Sequence, residues 1–287
     1  MAKETQGESE RSGVERMAKN GFQDYIRIRT LENTCAILND FLKPAMNVLD
    51  IGCGPGTITL DVARKLSHGS VTGVDLNEDA LKNARKVAID AGLSNIEFKA
   101  GDTYSLEFSD KTFDLIYSHA LFEWLQEPVK ALREQARVTR TGGWVIAMVS
   151  SWDYIVLYPE CPELRRIIIA LRALKKAPED VGFLNIFAPH EAVGFLIDAG
   201  YRNYKIISFT PNLQVAYPGS EYFDYCYHTF QLFGSADLFG KWHEYFLDKG
   251  LIDRDTIKRA MAELEVWYHH PHALFIHPSV AACGQVD

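Results

Sequence analysis

The chain has 287 residues, 47% of them hydrophobic and 24% charged, with a formal net charge of -8. That length allows one large domain with a sizeable core, and the acidic balance argues against a general nucleic-acid or anionic-membrane surface, since Lys and Arg hold such partners by neutralising phosphates. The five cysteines, Cys35, Cys53, Cys161, Cys226 and Cys283, form no Cys-x-x-Cys pair, so neither a disulfide framework nor a zinc site is expected and a reduced, cytoplasmic setting fits best. Met1 to Arg16 are polar and mixed in charge, unlike a signal peptide, and no later run is long enough to span a bilayer.

Residues 1–20 read as a flexible tail and residues 21–287 as a single domain. Phe22, Tyr25, Ile26 and Ile28 form an apolar-bearing segment that could cover a ligand, and Leu31, Cys35, Leu38, Phe41 and Leu42 recur at helical spacing up to Pro44. Val48, Leu49 and Ile51 then make the short apolar run of a buried parallel strand. This strand runs into Gly52, Gly54 and Gly56, which let the backbone turn sharply and approach a ligand, and a helix follows from Thr57 with its free N–H groups facing the turn. The spacing from Asp50 to Gly56 is Asp-x-Gly-x-Gly-x-Gly, which differs from the dinucleotide fingerprint Gly-x-Gly-x-x-Gly.

Further strands and helices alternate downstream. Ser70 to Val74 ends in Asp75, at roughly the 20-residue separation where nucleoside-binding α/β folds place a ribose-binding acid. Ile96 to Ala100 ends in Gly101-Asp102, and Phe113 to Ser118 ends in His119-Ala120-Leu121. Helices are expected over Glu78 to Ala91 and Pro128 to Val138, with Gly142-Gly143 leading into the apolar run Trp144 to Val149. The alternation implies a parallel sheet with helices on both faces.

The Asp50–Gly56 loop resembles the first motif of the class I S-adenosylmethionine (SAM) dependent methyltransferases. Asp102 is similar to that family's acid beside the adenine amino group, and Arg137 to Gly143 to its helix end and glycine pair, with Thr141 where proline is usual. The resemblance implies a Rossmann-like seven-stranded sheet with SAM as cofactor. Cofactor contacts are then expected from Asp50, Gly52, Cys53, Gly54, Gly56, Asp75, Leu76, Gly101, Asp102, Thr103, Ser118 and Tyr25. Asp50 would support the loop and the methionine end, Asp75 the ribose, and Leu76 and Thr103 would flank the adenine, although ordinary packing would look the same at those two positions. Trp267 to Gly284 resembles the terminal strand of the ubiquinone/menaquinone biosynthesis group and its small-molecule relatives.

Two aromatic-rich segments, at about 150–188 and 211–271, interrupt the alternation on either side of a strand at Tyr204 to Phe209. By order alone they read as helical cap insertions over the carboxyl ends of the strands, where open α/β sheets bind ligands. Phe122, Trp152, Phe183, Tyr217 and Tyr222 are the candidates to face the acceptor, which should be apolar or aromatic. His119 and His190 have the chemistry of a proton acceptor, with Glu123 as a third choice. The strand after Pro271 is expected to run unbroken from Ala273 to Cys283, and His269, His270 and His272 read as its entry, with no metal site expected.

The fourth strand lacks the Asn/Asp-Pro-Pro-Tyr/Phe sequence of enzymes that methylate planar amino groups, which argues against a DNA or glutamine methyltransferase. Methyl transfer to a small metabolite therefore leads, on oxygen, nitrogen or carbon. Two alternatives share the same cofactor loop: a SAM-binding catalyst of a non-methylating reaction, such as a cyclisation, and a SAM-binding regulatory subunit.

Overall fold

The computed structural model describes residues 26–178, 180–186 and 188–287, and of residues 237 and 238 the backbone alone. The expected tail, Phe22 and Tyr25 lie outside the described residues. The first described helix, α1 (Leu31–Thr34), is fixed by a reciprocal cap: Thr30 Oγ1 accepts from the Asn33 N–H, and Asn33 Oδ1 from the Thr30 N–H. Helical spacing predicts one longer helix here, but a 3-10 turn, Ala36–Asp40, takes over after Cys35. Leu31, Cys35 and Leu38 still reach the core, because both helix types return every third or fourth side chain to one side.

Strand β1 (Asn47–Ile51) is central. It leads to α2 (Thr57–Lys65), β2 (Ser70–Asp75), α3 (Glu78–Asp90), β3 (Ile96–Ala100), β4 (Phe113–His119), α4 (Pro128–Val138) and β5 (Thr139–Ser150). The chain continues through β6 (Val156–Tyr158), α5 (Pro162–Ala170), α6 (Ala188–Ala199), β7 (Asn203–Phe209), β8 (Val215–Ala216), α7 (Phe223–Phe233), α8 (Ala236–Asp248), α9 (Thr256–Tyr268), β9 (Leu274–Ile276) and β10 (Ser279–Gln285). Seven strands form the main sheet in the order β3-β2-β1-β4-β5-β10-β7. The pairs from β3 to β5 are parallel, and β10 runs antiparallel to both β5 and β7.

Alternation along β1 builds the two faces of this sheet. Val48 joins Leu31, Leu38, Val62 and Tyr117 on one side, whereas Leu49 and Ile51 join Leu132 on α4 and Leu196 on α6 on the other. Complete burial of such side chains stabilises by about 1.5–3 kcal/mol each, so packing anchors the strand that carries the glycine loop. At the C-terminal end of β2, Asn77 caps α3 by accepting from the N–H groups of Asp79 and Ala80.

The segments between β5 and α6 and between β7 and β10 share a separate core. Ile167 and Leu171 from the first pack with Phe230, Trp242, Leu264 and Trp267 from the second. Glu263 on α9 accepts from the N–H groups of Glu163 and Leu164, capping α5 from across the contact. A small antiparallel sheet, β6-β9-β8, ties the same two segments together.

That sheet corrects the expected last strand. Residues 274–285 are two strands, with His277 and Pro278 between them. Pro278 has no N–H to donate, and the chain leaves the small sheet there and enters the main one. The junction is held: the His277 N–H donates to Gln214 O at 3.0 Å, and the Ser151 N–H to Pro278 O at 2.9 Å. No helix among the described residues is long and apolar enough to cross a membrane.

Candidate active site

The ends of β1, β2 and β3 meet at one cavity. After β1 the chain turns through Gly52 and Gly54, whose φ angles of 75° and 51° lie in the left-handed region that glycine enters without strain. The Gly52 and Cys53 N–H groups donate to Val74 O, fastening the loop to β2. Gly56, at φ 75°, begins α2, and a Cβ there would stand 2.6 Å from the Phe98 ring. Close passage over Phe98 in left-handed backbone thus by itself requires the third glycine.

Asp75 ends β2 and joins this loop from the other side. Its Oδ2 accepts from the Gly54 N–H and its Oδ1 from the Asn77 N–H, both at 2.8 Å. Burial raises its pKa from the ordinary value, while the backbone N–H groups of Asn77, Gly54 and Leu76 pull it back down. Asp102 follows β3 and accepts from the Tyr104 N–H at 2.9 Å, in a turn closed by the Ser105 N–H on Asp102 O. Thr103 beside it is buried and receives the Gln135 amide at 3.3 Å.

The cavity has a volume of about 270 Å³. Of the expected cofactor residues, Gly52, Gly54, Asp75, Leu76, Gly101, Asp102 and Thr103 line it. Asp50, Cys53, Gly56 and Ser118 do not. Asp50 lies on the opposite face of β1, where its Oδ2 accepts from Thr59 Oγ1 at 2.6 Å and Tyr117 OH at 2.7 Å, and burial lifts its pKa to about 7. Its role is to tie β1 to α2 and β4 from beneath. Cys53 packs with Leu60, Leu81, Ala84 and Phe98, and Ser118 is buried with an Oγ that has no hydrogen-bond partner among the described residues. Alternation puts Asp50 on the same face as Tyr117, opposite to Leu49 and Ile51.

Beyond the residues expected to hold the cofactor, the cavity continues between the sheet and the inserted segments. Trp152 and Phe183 line it as expected, joined by Trp124, Phe233, Phe239 and Trp242. Trp152 meets Phe233 edge-on at 5.5 Å, and Trp242 packs on Trp124 at 6.4 Å and Phe239 at 4.7 Å. Phe122, Tyr217 and Tyr222 stand outside it. Phe122 is buried in the core beneath α4 and α6, Tyr217 is exposed, and Tyr222 only precedes α7. Composition marks a segment as aromatic but does not say which ring turns inward.

Four ionisable residues interrupt this apolar wall, Arg29, His119, Glu123 and His277, along with Ser150, Gln214 and Thr229. His119 ends β4, and Ala120 after it takes a positive φ of 53° while its N–H donates to Met148 O at 2.9 Å. Desolvation, aided by the Arg29 charge, drops the His119 pKa to about 3. The imidazole is therefore neutral at neutral pH. His190 lies away from the cavity on α6, with Nε2 3.7 Å from Asp153 and its ring against Tyr154. Placing it at the chemistry is corrected by that position.

Glu123 is almost wholly buried in the turn after His119. Its Oε1 accepts from the Ser150 N–H at 2.9 Å, its Oε2 has no partner among the described residues, and burial raises its pKa to about 7. His277, at the junction of the two sheets, is equally buried; its Nε2 also lacks a partner among the described residues, and desolvation lowers its pKa to about 3. Sequence reasoning missed His277 because its signal was a neighbouring proline inside an apparently continuous strand. Among the described residues no three His, Cys, Asp or Glu side chains are grouped to hold a metal ion.

An open α/β sheet in the order 3-2-1-4-5, closed by an antiparallel pair and carrying a glycine loop and acids at successive strand ends, has the Rossmann-like, seven-stranded architecture expected of a methyltransferase fold. Comparison with known proteins agrees. The family described as "Methyltransferase domain" matches residues 42–176. An uncharacterized methyltransferase of Schizosaccharomyces pombe is 33% identical over 151 residues, covering 49% of this chain and 54% of that protein. A ubiquinone/menaquinone biosynthesis C-methyltransferase of Bdellovibrio bacteriovorus is 35% identical over 106 residues, covering 37% and 45%. The solved structure of Haemonchus contortus phosphoethanolamine N-methyltransferase 2, with S-adenosylhomocysteine bound, superposes with a TM-score of 0.55 at 16% identity, covering 88% of this chain and 52% of that one. The chain spans about half the length of the curated relatives it matches. Residues 42–176, somewhat less than half of the chain, are thus similar to the methyltransferase domains of known SAM-dependent enzymes.

Proposed function

We propose that this protein transfers a methyl group from SAM to a small acceptor with an apolar or aromatic body. The observation that carries the reading is the single cavity in which Asp75 and Asp102 at one end are continuous with Trp152, Phe183 and Trp242 at the other. The residues fit the cofactor: the glycine loop keeps its backbone open to the cavity, and two acids stand at successive strand ends. Asp75 would hold the ribose hydroxyls, Asp102 the adenine amino group, and Leu76 and Thr103 the faces of the adenine ring. When bound, SAM supplies a methyl group activated by a sulfonium. The chain's part is to align an acceptor atom with that methyl and exclude water, and the aromatic walls suit both roles. His119, uncharged at neutral pH, would orient the acceptor by a hydrogen bond.

The quinone-pathway relative supports an apolar aromatic acceptor, since its name describes that class of product. A non-methylating SAM-assisted reaction or a regulatory role would leave the cofactor with its methyl group in place. Incubation with methyl-labelled SAM and a small-molecule extract of the source organism separates the readings. Label in an extractable product of low polarity is the expected result, and S-adenosylhomocysteine binding without any labelled product would overturn it.

A further inference from the structure

A buried carboxyl oxygen with no partner is costly to keep, so its environment calls for an explanation. Glu123 is fixed from three sides. Its Oε1 receives the Ser150 N–H, its own backbone carbonyl receives the Asn185 N–H at 2.7 Å, and Phe122 before it is anchored in the core. Among the described residues Oε2 is left without a bond, and Glu123 lines the cavity. His277 Nε2 repeats the pattern from the neighbouring strand end: β5 pairs Ser150 with Ser279, two residues beyond His277. Two residues with such polar atoms, one in the turn after β4 and one just before β10, thus line one aromatic-walled chamber.

We propose that Glu123 is the proton acceptor of this methyltransferase, and that the acceptor molecule is a neutral aromatic or apolar compound whose O–H or N–H meets Glu123 Oε2, with His277 Nε2 as a second hydrogen-bonding point. The proposal rests on the methyl-transfer reading. The acceptor's oxygen or nitrogen forms the new bond to the methyl carbon as the carbon–sulfur bond breaks. The electron pair of that bond stays on sulfur, giving the neutral sulfide, and the acceptor's proton passes to the Glu123 carboxylate. No oxidant or further reactant is needed. The groups facing Glu123 favour this transfer, because the Arg29 charge supports the carboxylate while His119 and His277 stay neutral and do not compete for the proton. A carboxyl that titrates near 7 is also well matched to proton transfer at neutral pH.

The test uses 2-naphthol, a neutral two-ring phenol whose emission reports whether its proton has been given to a nearby base, bound to the protein with S-adenosylhomocysteine at pH 8. The wild-type protein should give naphtholate emission from the bound probe, and Glu123→Gln should give neutral emission. 2-Methoxynaphthalene, which has no such proton, should bind both proteins alike and so verifies that the variant is folded. With SAM in place of the product, Glu123→Gln should slow methylation of 2-naphthol by about 100-fold or more and spare 4-nitrophenol, which is already largely ionised at this pH. Naphtholate emission that persists in the variant, or equal slowing of both phenols, would assign the proton to another group. A wild-type protein that binds S-adenosylhomocysteine but not 2-naphthol would overturn the acceptor class. Failure to bind S-adenosylhomocysteine would instead count against the methyltransferase reading beneath it.

Discussion

The Asp75 carboxylate accepts a hydrogen bond from the Gly54 N–H at 2.8 Å, so the acid at the end of β2 and the glycine loop after β1 are parts of one construction. The same carboxylate, on its other oxygen, takes the Asn77 N–H and so sets the start of α3. A residue chosen in the sequence as a ribose ligand therefore also holds the loop against which the rest of the cofactor would lie.

Asp75→Ala should weaken SAM binding about 10- to 1,000-fold, since it removes charge-assisted hydrogen bonds worth about 2–4 kcal/mol together. Asp75→Asn, which can still accept from Gly54, should fall between that variant and the wild type. Calorimetry on folded protein measures both, and wild-type affinity in Asp75→Ala would remove Asp75 from the ribose site.

Gly56→Ala and Gly54→Ala should part company. A methyl at Gly56 meets the Phe98 ring at 2.6 Å and the Ala84 Cβ at 3.0 Å in left-handed backbone, so a stability loss of about 2–5 kcal/mol is expected from strain and overpacking. At Gly54 the nearest atom is Ile26 Cδ1 at 3.7 Å, and the methyl would enter the cavity. That variant should lose about 1–2 kcal/mol of stability to strain alone, but most of its SAM affinity. Urea midpoints together with SAM titrations distinguish the two, and equal stability losses would show that the Phe98 contact relaxes freely.

Glu123 and His277 should pull stability in opposite directions with pH. Glu123 titrates near 7 when folded and near 4.5 when unfolded, so its contribution is full below 4.5 and is lost as pH rises to 7. His277 titrates near 3 folded and near 6.5 unfolded, so its contribution is full above 6.5 and is lost as pH falls toward 3. Between pH 4.5 and 6.5 the two slopes, about 1.4 kcal/mol per pH unit each, largely cancel. Glu123→Gln should therefore lose stability relative to wild type as pH is lowered through this window, and His277→Gln should gain it. Melting temperatures at pH 5, 6, 7 and 8 check the signs, and parallel curves for the two variants would contradict the burial argument.

Replacing His119 should leave the pH dependence of the rate alone. Its pKa of about 3 lies below any working pH, so His119→Gln should lower turnover through lost orientation and keep the wild-type profile between pH 6 and 8. Loss of an acid limb in that range, measured on methyl-labelled product, would mean that the imidazole is far better solvated in the working enzyme.

The two inserted segments should respond as one body to ligand. They share a core and a small sheet, and both contribute residues to the acceptor end of the cavity. Hydrogen exchange should slow together in residues 150–188 and 211–233 when S-adenosylhomocysteine and 2-naphthol are both present. Slowing in one segment alone would show that they move independently.

Sequence by itself determined the sheet and the glycine loop and acids at its strand ends. Apolar strands, the Asp50–Gly56 loop, Asp75 and Asp102 are local features, because a strand end, a tight turn and the acid beside it are set by neighbours a few residues apart. Spacing also named Asp50, Cys53, Gly56 and Ser118, which do not line the cavity, since the way each side chain turns depends on how distant strands and helices pack against it. The aromatic end of the cavity was decided by tertiary structure. Glu123, His277 and Trp242 are more than 100 residues apart at their extremes in the chain, and they meet only because Pro278 breaks an apparently single strand and the two inserted segments fold onto each other. Their protonation was equally hidden, because burial, which sets it, is a property of the packed core and not of any stretch of sequence.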